Sequence, residues 1–301
     1  MQIAIIANPM AGRGRSAKAI IHLRKAFGNR LVQALTTSSS EESTYLARAA
    51  AKDGADTVVA LGGDGTVSAV SNGLIGTGCR LGIVPIGTAN DLASCCSIPL
   101  EIEAAAAVIL AATVRSIDMI RVNGWHFLTC GGIGFPCEVI TLVERMRRGN
   151  SFIKAVCRRG GAAIYATAVA CRLLNDLVSS MQVCIETESS NREVAAHMVI
   201  IANQPRFGRR FCVAPGADNR DGQLDVCLFA DTKSKTNLVR NILKTVHGTH
   251  TNQPGVECFR ACRIALHSEE ETAFFGDGEI KLHARLYVIE VVPRAISIIC
   301  P

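Results

Sequence analysis

The sequence predicts a fold in two parts: a doubly wound α/β half built on a parallel sheet over residues 1–120, then a mainly antiparallel β-sandwich over residues 121–301. Three observations predict it. The first part alternates short, wholly apolar runs with segments of helical spacing. Near Ser116 that alternation stops, and Asn123-Gly124 supplies a two-residue hairpin signal. Beyond it, apolar runs follow one another with turns, and few helices, between them. Strands apolar throughout, each followed by a helix, belong to a parallel sheet covered on both faces, whereas successive strands joined by turns pack as sheet on sheet. At 301 residues the chain can bury two cores.

Taken in order, "QIAIIANP" reads as strand one and "SAKAIIHLRKAF" as its helix. "LVQALTT" is strand two, and a helix over Glu41–Ala51 starts from a serine-rich cap. "DTVVALGG" is strand three, "TVSAVSNGLI" its helix, and "RLGIVPIG" strand four, followed by helical "NDLASCC" and "LEIEAAAAVILAAT". After the hairpin, residues 136–177 read as a helical insertion. The segments "SMQVCIETES", "EVAAHMVIIANQP", "QLDVCLFAD", "RACRIALHS" and "KLHARLYVIEVVP" read as antiparallel strands, with one helix over Lys233–Val246. Whether the last strand stays in the second half or returns to the first is left open.

Composition removes several classes. With 49% apolar and 19% charged residues the chain is globular and not disordered. Its longest apolar runs, "EAAAAVILAAT" and "AAIYATAVAC", are too short to span a bilayer. "MQIAIIANP" has no basic leader and is read as a strand, not a signal peptide, so a cytoplasmic location is expected. The 13 cysteines include no CxxC pair and read as small buried thiols in a reducing compartment; His247 and His250 form a lone HxxH at a surface helix end. The net charge of +6 concentrates in "ERMRRGN", "CRRG" and "RFGRRF" without interleaved aromatics. That pattern argues against nucleic acid and suits peripheral contact with an anionic membrane surface.

Three loops carry the chemistry, each at the carboxyl end of a predicted parallel strand, where open α/β sheets bind ligands. They are Asn8–Ser16 ("NPMAGRGRS"), Gly62–Thr66 ("GGDGT") and Pro85–Asp91 ("PIGTAND"). Small residues let backbone N–H groups approach an anion, and helix N-termini favour phosphate. The first loop fits neither GxGxxG nor GxxxxGK[ST], which excludes a dehydrogenase fingerprint and a P-loop.

In this order and spacing, "NPMAGRGRS", "LGGDGTVSAVSNGL" and "GIVPIGTANDLA", continued by "GIGF", "APGADNRDGQLDV" and "FFGDGEI", the chain resembles the diacylglycerol kinase catalytic-domain family. The bacterial-type soluble lipid kinases, which include diacylglycerol, phosphatidylglycerol and sphingoid-base relatives, are the nearer branch. The resemblance implies a first domain like that of NAD kinases and phosphofructokinases, and transfer of the ATP γ-phosphoryl group, with Mg²⁺, to a lipid hydroxyl at a membrane surface. It assigns nucleotide contacts to Asn8, Pro9, Met10, Ala11, Gly12, Thr36, Gly62, Gly63, Asp64, Gly65, Thr66, Val67, Ser68, Gly87, Thr88, Asn90 and Asp91. Asp64 would hold the catalytic Mg²⁺ through water, which that ion retains. Glu279 would take the proton from the lipid hydroxyl, with Asp277 its partner on the same strand face. A second, structural Mg²⁺ would take a carboxylate from Asp221 and main-chain oxygens from Asp218 and Gln223.

The family usually places Asn and Glu where this chain has Ser68 and Ala69. Two alternatives stand beside a lipid kinase: an NAD kinase-like phosphotransferase and a catalytically silent nucleotide-binding regulator. The identity of the lipid and the oligomeric state, a homodimer included, are not legible.

Overall fold

The computed structural model describes residues 1–148, 162–174 and 178–301, which divide into two compact units, Met1–Met119 with Val292–Pro301, and Ile120–Val291. The middle of the expected insertion, with the Cys157–Gly160 basic cluster, lies outside the described residues.

The first unit holds β1 (Ile3–Ala7), α1 (Ser16–Phe27), β2 (Leu31–Thr36), α2 (Ser40–Lys52), β3 (Thr57–Gly62), α3 (Asp64–Leu74), β4 (Arg80–Pro85), α4 (Asp91–Cys95) and α5 (Ile102–Ala111). Its sheet is parallel in the order β4-β3-β1-β2, and the end of the last strand, β15 (Glu279–Ile299), adds a fifth parallel strand beside β4 through Ser297 and Ile298. Every residue of β1 and β3 is buried; β1 is apolar throughout, and β3 carries no polar side chain after Thr57. Helix α1 packs on α5, and α2 on α3. Ser39 caps α2 by accepting the Glu42 amide at 3.2 Å. Successive strands run to opposite sides of β1, so the switch point lies between β1 and β3, at the ends of the first two loops.

In the second unit, β5 (Val114–Val122, entering from the first unit) and β6 (Trp125–Phe127) form the expected hairpin; Asn123 and Gly124 both have positive φ, 45° and 88°. There follow β7 (Cys130–Gly134), α6 (Phe135–Arg148), α7 (Ala162–Leu174), β8 (Met181–Thr187) and β9 (Asn191–Ala202). A small hairpin of β10 (Arg206–Phe207) and β11 (Phe211–Cys212) precedes β12 (Leu224–Ala230), α8 (Lys235–Lys244), β13 (Val256–Ala261), β14 (Arg263–Gly276) and the start of β15. The strands are antiparallel in the order β13-β12-β9-β7-β14-β15, with β8 against β9 and β14. Alternation along them feeds two apolar clusters. Phe127, Phe274, Tyr287 and Ile289 belong to one, and Phe135, Met198, Phe229 and Ile242 to the other.

Three sequence expectations are corrected here. Helix α3 begins at Asp64 and not at Thr66, so GGDGT is half strand end and half first helical turn. His250 does not sit at a surface: it is fully buried, stacks on Phe229 with ring centroids 5.6 Å apart, and its Nε2 lies 3.1 Å from the Val213 carbonyl. The cysteines are not uniformly buried, since Cys95, Cys171, Cys258 and Cys262 are exposed. Among the described residues no helix is long and apolar enough to cross a membrane.

Candidate active site

The three loops of the first unit meet. Gly63 and Gly87 face each other so closely that a Cβ on Gly63 would stand 3.0 Å from the Gly87 Cα, and one on Gly87 would also strike Asn90 Oδ1 at 2.7 Å. Gly12, at φ +61°, approaches the carbonyl of Ile86, which a Cβ would reach at 2.9 Å. No side chain larger than hydrogen fits at these crossings, which is the physical reason for glycine in each loop. The Ile86 amide donates to the Gly62 carbonyl at 2.9 Å, and the Asn8 amide to the Leu61 carbonyl at 3.2 Å. Asn8 Oδ1 accepts the Met10 amide at 2.9 Å, folding the first loop over itself, and Ser16 Oγ donates to the Asn8 carbonyl at 2.6 Å.

Asp64 locks the second loop to the third. Its Oδ1 accepts the Asp91 amide at 2.6 Å and its Oδ2 the Asn90 amide at 2.8 Å. Asn90 is left-handed (φ 54°, ψ 49°), and its side chain closes on Gly87, accepting the amide at 3.0 Å and donating to the carbonyl at 3.2 Å. The structure therefore brings together Asn8–Gly12, Gly62–Ser68 and Gly87–Asp91. Thr36 closes β2 beside Ala7 and is exposed, as are Pro9, Met10 and Thr88. Thr66, Val67 and Ser68 are buried in α3 and line no surface.

In the second unit Asp277-Gly278 form the tip of a tight hairpin between Gly276 and Glu279, with φ of 51° and 84°. Asp277 and Glu279 consequently do not share a strand face, because the first is in the turn and only the second in β15. The Asp277 carboxylate accepts the Leu128 amide (Oδ1, 3.1 Å), the Thr129 amide (Oδ1, 2.9 Å) and Thr129 Oγ1 (2.8 Å), and its own amide donates to the Cys130 carbonyl at 3.0 Å. That staple fixes the turn and directs Glu279 outward, where 48% of its side chain is exposed and Oε2 holds Lys281 Nζ at 2.5 Å. Phe207 packs on Phe275, centroids 5.5 Å apart, at the base of the same turn.

The acidic side chains of the loop before β12 pair with arginines. Asp218 is engaged by the Arg220 guanidinium (2.9 and 3.0 Å), and Asp221 Oδ1 accepts the Gln223 amide at 3.0 Å while its Oδ2 faces Arg260 at 3.6 Å. Arg260 also holds Asp225 at 3.1 Å and the Gly216 carbonyl at 2.7 Å. The Asp218 and Asp221 side chains thus face arginines, which leaves the main-chain oxygens of Asp218 and Gln223 and the Asp221 carboxylate as the groups the resemblance assigns to a second divalent ion. Among the described residues no cluster of three or more His, Cys, Asp or Glu is arranged for a metal.

With this geometry in hand, comparison with known proteins is decisive. Residues 2–122 match the diacylglycerol kinase catalytic domain, and residues 147–300, half of the chain, match the YegS C-terminal NAD kinase beta sandwich-like domain. The chain belongs to the diacylglycerol kinase family. Membership makes it a phosphotransferase of the lipid-kinase kind. It is 28% identical to a diacylglycerol kinase of Mycobacterium tuberculosis over 313 residues, covering 100% of this chain and 95% of that one. It is also 28% identical to one of Bacillus subtilis over 284 residues, covering 91% and 88%. A crystal structure of a proposed diacylglycerol kinase from Bacillus anthracis superposes with a TM-score of 0.82 at 25% identity, covering 100% of this chain and 95% of that one.

Ser68 and Ala69, where this chain departs from the usual family residues, lie at the contact of α3 with α2. Both are buried, and the Ala69 carbonyl accepts Thr44 Oγ1 of α2 at 2.9 Å. One turn on, a Cβ at Gly73 would clash with the Thr44 backbone, so α2 and α3 lie in close contact along this edge. Sequence reading missed Thr129 and Arg260. Thr129 holds Asp277 from a stretch far away in sequence. Arg260 is legible only once β12 and β13 are paired in register.

Proposed function

We propose that this kinase transfers the γ-phosphoryl group of ATP, with Mg²⁺, to the free hydroxyl of a glycerolipid, diacylglycerol being the first candidate. The observation that carries this reading is the packing of three glycine-bearing loops at the switch point of the parallel sheet, held by Asp64. The N-terminus of α3 at Gly63-Asp64, which no side chain caps, suits a phosphate, and phosphoryl transfer is chiefly positioning and charge stabilisation.

Asn8–Gly12, Thr36, Gly62–Ser68 and Gly87–Asp91 are assigned to the nucleotide. Direct contact falls to the exposed and half-exposed members, and buried Thr66, Val67 and Ser68 support them from within α3. Asp64, an acceptor-only carboxylate at the crossing of the second and third loops, is assigned a water-mediated Mg²⁺ contact. The ion, when bound with ATP, offsets charge on the transferring phosphoryl group. Glu279, exposed and steadied through Oε2 by Lys281, is assigned the substrate proton at Oε1, and Asp277 is a positioning residue that holds the turn.

A lipid acceptor requires a visit to a membrane surface. The β10–β11 hairpin suits it, presenting exposed Arg206, Arg209 and Arg210 around half-buried Phe207 and Phe211. Each arginine near an anionic surface contributes about 1 kcal/mol, so replacing all three with alanine should release the protein from phosphatidylglycerol vesicles and leave phosphatidylcholine binding unchanged.

Incubation with labelled ATP and a panel of diacylglycerol, phosphatidylglycerol, sphingosine and NAD tests the reading. Label in a lipid supports it. Label in NAD alone, or ATP binding with label in no acceptor, overturns it.

A further inference from the structure

The β12–β13 pair sets Cys227 directly opposite Cys258, with the two sulfurs 3.3 Å apart and both thiols free. Directly opposed residues of an antiparallel pair have Cα atoms about 4.5–5.5 Å apart, inside the range of about 4.4–6.8 Å that a disulfide spans. Closing the bond needs a sulfur approach of roughly 1.2 Å and no slide of either strand.

The two sulfurs differ in access and in charge. Cys227 is 1% exposed and belongs to the apolar cluster that contains Phe229, whereas Cys258 is exposed. The hydrogen-bond contact between Cys258 and Cys227 pulls the Cys258 thiol below its ordinary range. Burial and the carboxylates of Asp225 and Glu257 act the other way. Each of those carboxylates is itself paired with an arginine: Asp225 with Arg260 at 3.1 Å, and Glu257 with Arg192 at 2.5 Å. The same contact, with burial, pushes the Cys227 thiol up. An accessible thiol in contact with an inaccessible one is the arrangement of a sensing cysteine with its resolving partner. A purely structural pair of core thiols has no reason to expose one member.

We infer that Cys258 and Cys227 form a peroxide-reactive dithiol site, in which Cys258 is oxidised first and Cys227 resolves it as an intramolecular disulfide. The Cys258 sulfur attacks one peroxide oxygen and the O–O bond breaks. Hydroxide leaves and takes up a proton as water, and Cys258 becomes a sulfenic acid. The Cys227 sulfur then attacks the Cys258 sulfur, the S–O bond breaks, and the second hydroxide leaves with the Cys227 proton as water. Two thiols lose two electrons to one peroxide, giving one disulfide and two waters. A dithiol reductant reverses the step.

The test treats the full chain with hydrogen peroxide, blocks remaining thiols with N-ethylmaleimide at intervals, and maps the peptides by mass spectrometry. Cys262, also exposed and only one short turn away, is the internal control. The Cys227–Cys258 disulfide should be the first product, with Cys258 consumed at least about 10-fold faster than Cys262, and dithiothreitol should restore both thiols. In Cys227→Ser the sulfenic acid should persist on Cys258 and be trapped by dimedone. In Cys258→Ser, Cys227 should stay reduced. Cys258 reacting no faster than Cys262, or Cys227 oxidised as fast without Cys258, would overturn the inference; the wild-type rate comparison decides it even if the buried Cys227 variant does not fold.

Discussion

In the first unit Asp64 accepts the amides of Asn90 and Asp91, while in the second Asp277 accepts those of Leu128 and Thr129. The device is shared, a carboxylate meeting backbone N–H groups that would otherwise need another partner, but the results differ. Asp64 binds one loop to another and holds the glycine crossings in place. Asp277 pins a two-residue turn and so frees the next carboxylate, Glu279, to stand exposed beside Lys281. In the proposed function, nucleotide binding rests on packing and proton removal on a single presented side chain. Substitutions should therefore damage the two halves in different ways.

Glu279→Gln should have the largest effect, a fall in transfer of about 10²–10⁴-fold with no change in thermal unfolding, since an exposed carboxylate carries little of the fold. A parallel loss of stability would mean the side chain is architectural. Gly87→Ala should do the reverse. The added Cβ has no room against Gly63, so unfolding in urea should show a loss of about 1–3 kcal/mol, and ATP affinity should fall with it.

Asp64→Asn and Asp277→Asn form the sharper pair. Each puts an amide donor where one N–H now donates, and each should cost about 1–3 kcal/mol in denaturant unfolding. Asp64→Asn should raise the Kd for ATP. Asp277→Asn should leave that Kd alone and lower kcat by disordering the turn that holds Glu279. Identical kinetic signatures in the two variants would break the comparison.

The smallest effect is one of pH. Burial holds His250 below the ordinary histidine range, and His126 is lowered by burial and by Arg121. As pH falls, the unfolded chain takes up these protons first, so stability is fully present above about pH 6.5 and declines below it. His250→Phe should flatten part of that decline in urea midpoints measured between pH 7 and pH 5.

The parallel sheet, its order of elements and the three loops were legible because unbroken apolar strands and glycine-rich loops carry local signals. The β5–β6 turn was legible in Asn123-Gly124 for the same reason. What local sequence could not supply was pairing. The letters of GDGE suit a strand face as well as a turn, and only the Leu128 and Thr129 amides decide between them. The acidic letters of residues 218–225 carry no sign of an arginine partner, and only the register that brings Arg260 across from Asp225 shows one. His250 looked like a helix-end histidine until β12 placed Phe229 against its ring.

The central claim is that nucleotide binding belongs to the three packed loops and proton removal to Glu279. ATP affinity by calorimetry and transfer of labelled γ-phosphate to diacylglycerol, measured on one preparation of Glu279→Gln beside the wild type, test it most directly. The account predicts unchanged affinity with transfer lost. Wild-type transfer, or affinity lost in step with transfer, would contradict it.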